Sequence, residues 1–120
     1  MPVSAAYREF VLEQLGRVVP VTSRSMFGGV GIYSEGIFFA VMDDDLLYLK
    51  TDDTNRPDFE RAGMPPFRPF GEDSQPLPYH ELPGELLEDA EALTPWVAKA
   101  LEVARRKKSQ SRSRPKKPRP

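Results

Sequence analysis

Apolar and polar positions alternate along residues 22–50, and this alternation is the clearest pattern in the chain. The apolar positions are Val30, Ile32, Ile37, Phe39, Val41, Leu47 and Leu49. A period of two is typical of β-strands that bury one face. Two segments, 34–36 (Ser-Glu-Gly) and 43–45 (Asp-Asp-Asp), interrupt the pattern and predict tight turns. Because strands this close in sequence leave no room for a parallel crossover, we predict an antiparallel meander of three or four strands.

Apolar residues spaced three and four apart predict a helix at each end of this meander. Near the N-terminus, Ser4 is a suitable N-cap for a helix that runs to about Arg17. Near the C-terminus the stripe comprises Leu93, Trp96, Val97, Ala100, Leu101 and Ala104. We predict that this helix starts between Asp89 and Thr94. Pro95 fits only the first turn of a helix, which favours the late start with Thr94 as the N-cap.

The segment between the meander and the last helix predicts a short helix and two more strands. In residues 52–63, Pro57 fits the first helical turn and Gly63 fits the left-handed position after the last turn. Strands are expected around 67–70 and 77–81, followed by one or two helical turns over residues 83–88. The elements together predict an α+β domain in which helices cover an antiparallel sheet.

The charge divides the chain into an acidic globule, residues 1–104, and a basic tail, residues 105–120. Nine of the 17 Lys and Arg residues lie in the tail, which leaves eight against all 18 acidic residues in the globule, a net charge of −10. From residue 109 the tail has no apolar residue and is rich in Pro and Ser. We therefore predict that it continues the last helix briefly and is then disordered.

The composition excludes several classes of site. The chain has no Cys, so disulfides, iron–sulfur clusters and thiol nucleophiles are excluded. It has no apolar run of about 18 residues and no apolar stretch at its N-terminus that would suit a signal peptide. We expect a cytoplasmic protein that does not bind membranes.

No catalytic, metal or cofactor site is predicted from the residues. His80 is the only histidine, and we expect it to be partly exposed without a role. The glycines at 28, 29 and 31 lack the spacing of a dinucleotide loop, so we expect a bulge or a close approach of strands there. The acidic residues at 43–45 and 52–53 lack the pattern of a calcium loop and are expected to be solvated.

A set of short motifs in a fixed order carries a family resemblance. The residues are Met26, Phe27, Gly28, Gly29, Gly31, Tyr48, Lys50, Asp52, Gly63, Pro65, Pro66, Phe67, Tyr79, Pro83 and Trp96. Together they resemble the N-terminal domain of the TfoX/Sxy family, over the whole globule. The resemblance implies a two-layer fold of order α-β-β-β-α-β-β-α with helices on one face. It also implies a link to natural competence and transcription. Full-length members carry a second domain where this chain has its basic tail, so the competence role does not transfer directly.

Two functional hypotheses from different classes remain open. The first is a regulatory module that binds a protein partner, or itself as a homodimer, with Met64–Phe67 as one apolar edge and Arg24, Lys50, Asp52 and Arg56 as polar contacts. The second is contact with nucleic acid phosphates through the tail. The tail residues are Arg105, Arg106, Lys107, Lys108, Arg112, Arg114, Lys116, Lys117 and Arg119. An enzyme with an unrecognised carboxylate pair is the weakest alternative.

Overall fold

A single antiparallel sheet of six strands forms the centre of the protein. The structure, a computed structural model, describes residues 3–26 and 28–113, with side chains up to residue 109. The strands are β1 (Thr22–Met26), β2 (Gly29–Ser34), β3 (Ile37–Asp43), β4 (Leu46–Lys50), β5 (Pro66–Phe67) and β6 (Leu77–Glu81). Their order is β1-β2-β3-β4-β6-β5, so β6 inserts between β4 and β5.

The two predicted turns of the meander are two-residue hairpin loops. Glu35 and Gly36 have φ angles of 49° and 80°, and Asp44 and Asp45 have φ angles of 52° and 55°. Two consecutive left-handed residues match the right-handed twist of the strands on either side, which favours Gly, Asn and Asp. The Asp45 carboxylate also accepts a hydrogen bond from the Ser4 backbone N–H at 2.7 Å, which fixes the N-terminal helix beside this turn.

Three α-helices and one 3₁₀ helix complete the fold. They are α1 (Ala5–Gly16), α2 (Arg56–Arg61), the 3₁₀ helix (Gly84–Glu88) and α3 (Ala90–Ser113). The Ser4 hydroxyl accepts from the Tyr7 N–H at 3.2 Å and so caps α1 as predicted. Gly63 follows α2 with φ 72°, which confirms its predicted left-handed conformation.

The start of α3 lies within the predicted range of Asp89 to Thr94, but the late start favoured by Pro95 is wrong. The helix begins at Ala90, because the Asp89 carboxylate accepts from two free backbone N–H groups of the first turn, at 3.1 and 3.2 Å. Pro95 therefore lies inside the helix, where it removes one backbone hydrogen bond. The earlier start buries Leu93 completely, and the Thr94 hydroxyl donates to the Ala90 carbonyl at 2.7 Å instead of capping the helix.

All three α-helices pack on one face of the sheet. The sheet contributes Val30, Ile32, Ala40, Met42, Leu47 and Leu49 to the core. The helices contribute Val11, Leu15, Phe59, Leu93, Val97, Ala100, Leu101 and Ala104. This arrangement confirms the predicted α+β fold and the order of helix, strands, helix, strands, helix. The meander has four strands, one more than the order implied by the resemblance.

Helix α3 is longer than the sequence predicts. It extends to Ser113, four residues past the predicted loss of regular structure at Ser109. The remainder of the predicted disordered tail, residues 114–120, lies outside the described residues. Within the part of the chain that is described, no helix is both long and apolar enough to cross a bilayer.

Candidate functional site

The strand register shows which side chains lie on the helix-free face of the sheet. Gly31 pairs with Val41, and Val41 pairs with Tyr48. Residues that pair across antiparallel strands share a face, and side chains alternate between faces along each strand. Since the neighbours of these three residues along each strand are in the helix-covered core, Gly31, Val41 and Tyr48 belong to the opposite face.

Aromatic rings cover much of the helix-free face. The Tyr33 and Phe38 rings stack with their centroids 5.0 Å apart, and Phe38 lies 5.9 Å from the Tyr79 ring. On the other side of the face, the centroids of Tyr48 and Phe67 are 4.4 Å apart. The contacts of Phe38 with Tyr79 and of Tyr48 with Phe67 join strands that are distant in sequence, so they hold β6 and β5 to the meander.

An apolar groove with a volume of about 290 Å³ runs across this face. We define it by Met26, Phe38, Phe67, Phe70, Leu77 and Tyr79. Asp43 is the one charged residue that lines it among the residues that the structure describes. Phe70 is 79 % exposed, the highest value for a large apolar side chain in the described part of the chain. An apolar groove beside an exposed aromatic ring is typical of an interaction site.

Two glycines of β2, Gly29 and Gly31, make room for this surface. A Cβ on Gly31 would lie 2.4 Å from the Met26 Cε and 3.1 Å from the Phe38 ring. A Cβ on Gly29 would lie 2.5 Å from the Met42 carbonyl oxygen. The predicted close approach at these glycines is therefore confirmed. Gly28, with φ 80°, lies in the hairpin between β1 and β2.

Lys50 contacts Tyr79 on the helix-free face. The Lys50 ammonium lies 4.8 Å from the centroid of the Tyr79 ring and donates to the Tyr79 hydroxyl at 3.4 Å. Burial lowers the pKa of Lys50, and the positive charge of Lys107 lowers it further. Burial raises the pKa of Tyr79 to about 12, with a smaller contribution from Tyr33, so its hydroxyl remains protonated at neutral pH.

A second groove, of about 540 Å³, lies at the end of β4 and is bordered by α2, β5, β6 and Lys107 of α3. We call it the polar groove because its charged lining residues are Asp52, Asp53, Arg56, Glu60 and Lys107. His80 lines it and is buried, not partly exposed as predicted, because it faces the helix layer opposite Leu49. Its Nδ1 lies 3.0 Å from the Thr51 hydroxyl oxygen. Burial lowers the pKa of His80, and the nearby Arg56 lowers it further. His80 is therefore neutral above its ordinary pKa of 6.5.

The basic end of α3 packs against this polar groove. Arg106 donates to the Asp52 carboxylate at 3.1 Å and to the Thr54 hydroxyl at 3.0 Å. Lys107 lines the polar groove together with Thr51 and His80. Burial raises the pKa of Asp52, but the hydrogen bonds from Thr54 and the ion pair with Arg106 together outweigh it, so the pKa is lowered. The residues that follow β4 therefore lie next to Arg106 and Lys107, which belong to the predicted basic tail.

The structure brings together some of the sequence-predicted residues and separates others. Lys50, Asp52 and Arg56 lie at the same end of the sheet, whereas Arg24 lies on the edge strand β1. Three motif residues, Gly63, Pro83 and Trp96, belong to the helix layer, where Trp96 packs against Phe59. Phe27 lies outside the described residues, as do the side chain of Arg112 and residues Arg114, Lys116, Lys117 and Arg119.

Sequence reasoning missed Phe70, Leu77 and Phe38 as site residues. Phe70 follows a Pro-rich segment that predicts a strand ending there, but β5 ends at Phe67. The one available signal was a large aromatic residue next to Gly71, whose φ of 104° turns the chain away from the sheet. Among the described residues, no group of three or more His, Asp or Glu is placed to hold a metal ion.

A comparison with protein families agrees with the predicted resemblance. The family model of the TfoX N-terminal domain matches residues 13–104, which is most of the chain. The matched segment runs from the second half of α1 into α3 and includes the whole sheet. A comparison with curated proteins finds no match.

Proposed function

The chain belongs to the TfoX N-terminal domain family, and from this membership we propose that it is a non-enzymatic regulatory module that acts by binding another protein. The contact surface is the apolar groove on the helix-free face of the sheet. Family membership supports a regulatory role linked to competence or transcription. A second copy of the chain is one candidate for the partner.

The observation that carries this proposal is the exposed Phe70 beside an apolar groove. In a sheet with helices on one face only, the other face is the surface that remains for contact with a partner. A groove of about 290 Å³ has room for one or two apolar side chains of a partner. Strand β1 forms one edge of the sheet, and its last residue, Met26, lines the groove. An extended segment that pairs with β1 would therefore lie next to the groove.

Substitution of Phe70 tests the proposal, with Phe10 as the matched control. Phe10 is also an exposed phenylalanine, 40 % accessible, but it lies on α1 and not on the helix-free face. We expect Phe70→Ser to lose partner binding in pull-down and to remain folded, because the ring is mostly in solvent. Phe10→Ser should retain binding. Light scattering after size exclusion separates self-association from binding to another protein. A monomer that captures no partner, or equal binding by both variants, would refute the proposal.

A second candidate is contact with nucleic acid through the basic end of the chain. The supporting observation is that Arg105, Lys107 and Lys108 are exposed on α3 and form no ion pair with a described carboxylate. Arg106, by contrast, is paired with Asp52 and Glu102. A full-length variant with Gln at the basic positions 112–119 should bind an oligonucleotide more weakly in a gel shift. Equal binding by this variant and the parent chain would refute contact between residues 112–119 and nucleic acid.

A further inference from the structure

We propose that β1 pairs with an extended segment of another protein, which carries a carboxylate opposite Arg24 and an apolar side chain opposite Met26. This inference rests on the proposed function, because it names the kind of segment that brings an apolar side chain to the apolar groove. Three features of β1 support such a partner: the open outer edge of the strand, the charge of Arg24 and the position of Met26.

The two edges of the sheet differ in how well they are protected. Strand β5 has only two residues, and one of them, Pro66, has no backbone N–H to donate. Strand β1 has five residues and no proline, and it pairs with β2 without a bulge. Among the described residues, no backbone hydrogen bond joins the outer side of β1 to another segment. A regular edge of this kind is a template for an additional strand.

Helix α1 holds β1 in position from the helix-covered side of the sheet. Arg8 donates to the Ser23 hydroxyl at 3.0 Å and to the Ser25 hydroxyl at 3.4 Å. Because side chains alternate along a strand, Arg24 and Met26 lie on the opposite, helix-free face. An edge that is already fixed in an extended conformation loses little conformational entropy when a partner strand binds.

Arg24 determines the charge that the partner should carry. Its side chain is exposed, and its guanidinium forms no ion pair or hydrogen bond with the residues that the structure describes. Gly31, opposite Arg24 on β2, has no side chain with which to pair. If a second copy of the chain paired antiparallel with β1 over its full length, two copies of Arg24 would lie opposite each other, which is destabilising. A carboxylate at this position is favourable instead.

Met26 adds a second requirement, two residues further along the strand. Its side chain lies over Gly31 and lines the apolar groove. A partner residue opposite Met26 shares its face, so an apolar side chain there lies beside the groove. Asp43 also lines the groove, so a carboxylate is disfavoured at that position. The partner segment is therefore an extended strand with a carboxylate two residues from an apolar side chain.

The test is a titration of the isotope-labelled full chain with two short peptides, followed through the backbone amide NMR signals. One peptide is Thr-Leu-Thr-Glu-Thr-Val-Thr with blocked ends, and the other has Lys in place of Glu. An apolar residue lies two positions from the charge on either side, so the peptide fits β1 in both strand directions. We expect the Glu peptide to shift the β1 amide signals and to bind about two- to tenfold more tightly than the Lys peptide.

Two variants and a modified peptide serve as controls. Arg24→Glu should reverse the preference, so that the Lys peptide binds more tightly. Arg105→Glu changes the net charge equally, but Arg105 is exposed on α3 in the helix layer, so this variant should keep the preference for Glu. The Glu peptide with all its backbone amides N-methylated should not bind, because it cannot donate hydrogen bonds to β1. The NMR spectra show directly whether each variant is folded.

The outcomes separate this inference from the proposed function. Equal binding of the Glu and Lys peptides, an unchanged preference in Arg24→Glu, or binding of the methylated peptide would refute the pairing of β1 with an acidic strand. The absence of shifts in the β1 signals at millimolar peptide would refute it as well. In each case the pull-down with Phe70→Ser still decides whether the groove binds a partner. Concentration-dependent shifts of the β1 signals without peptide would assign the edge to a second copy and overturn the inference, while agreeing with the proposed function.

Discussion

The two glycines of β2 predict a difference in stability between two identical substitutions. Gly29 and Gly31 lie two residues apart on the same strand and face, and neither has a positive φ. In Gly29→Ala, the new Cβ would lie 2.5 Å from the Met42 carbonyl oxygen, which is backbone. In Gly31→Ala, the closest atom would be the Cε of Met26 at 2.4 Å, the end of a flexible side chain.

The loss of stability in each variant depends on whether the atoms next to the new Cβ can move away. The carbonyl contact at Gly29 is about 1 Å shorter than van der Waals contact, so β2 and β3 must separate, and overpacking of this kind costs about 3 kcal/mol. At Gly31 the Met26 side chain can turn toward the groove and the Phe38 ring can shift. The repacking costs about 1–2 kcal/mol, and the strand preference of Ala over Gly offsets about 0.5–1 kcal/mol of it. We expect a net loss of about 1 kcal/mol or less for Gly31→Ala.

Thermal unfolding followed by circular dichroism checks this difference. For a domain of this size, 1 kcal/mol corresponds to roughly 4–8 °C in Tm. Gly29→Ala should therefore lower Tm by about 12–24 °C, and Gly31→Ala by at most about 8 °C. Urea unfolding gives the free energies independently. Equal losses, or a larger loss for Gly31→Ala, would refute the inference that a rigid backbone contact at Gly29 and a flexible side-chain contact at Gly31 set the two costs.

Three further predictions concern the helix layer. Phe59→Ala should lower the free energy of unfolding by about 3–5 kcal/mol, since the ring is buried against Trp96; a loss below about 2 kcal/mol in urea would contradict the packing. Asp89→Ala should lower the free energy of unfolding by about 1 kcal/mol and Thr94→Ala by less, because Asp89 caps α3. A larger loss for Thr94→Ala would instead support a helix that starts after Thr94. His80 should titrate below 6.5 by proton NMR. Because its pKa is lowered in the folded state, stability is lost as pH falls through 6.5 toward the folded pKa, and a value at or above 6.5 would contradict this burial.

Much of the fold could be predicted because its signals are local. The alternation in residues 22–50 specifies which side chains share a face, and turn residues such as Gly36 and Asp45 specify where the strands reverse. The Ser4 cap and the left-handed Gly63 depend on the few residues beside them. Each of these features is determined within about one turn of chain, so sequence pattern and turn chemistry were sufficient.

The candidate site could not be predicted in the same way. Phe70 borders the groove only because β6 inserts between β4 and β5, and the sequence does not specify that order. The same insertion places Tyr79 beside Lys50 and buries His80. The preference for a late start of α3 was wrong because the rule for Pro95 is local, whereas burial of Leu93 favours the longer helix.

The sequence by itself determined the strands, the turns, the helical stripes and the division of charge between globule and tail. The tertiary structure alone decided which face of the sheet stays uncovered and which distant side chains come into contact. The physical reason is that the spacing of apolar residues and the conformational preferences of turn residues act over only a few positions of the chain. Contacts such as Lys50 with Tyr79, or Arg106 with Asp52, arise only when the order of strands and the packing of α3 bring distant segments together.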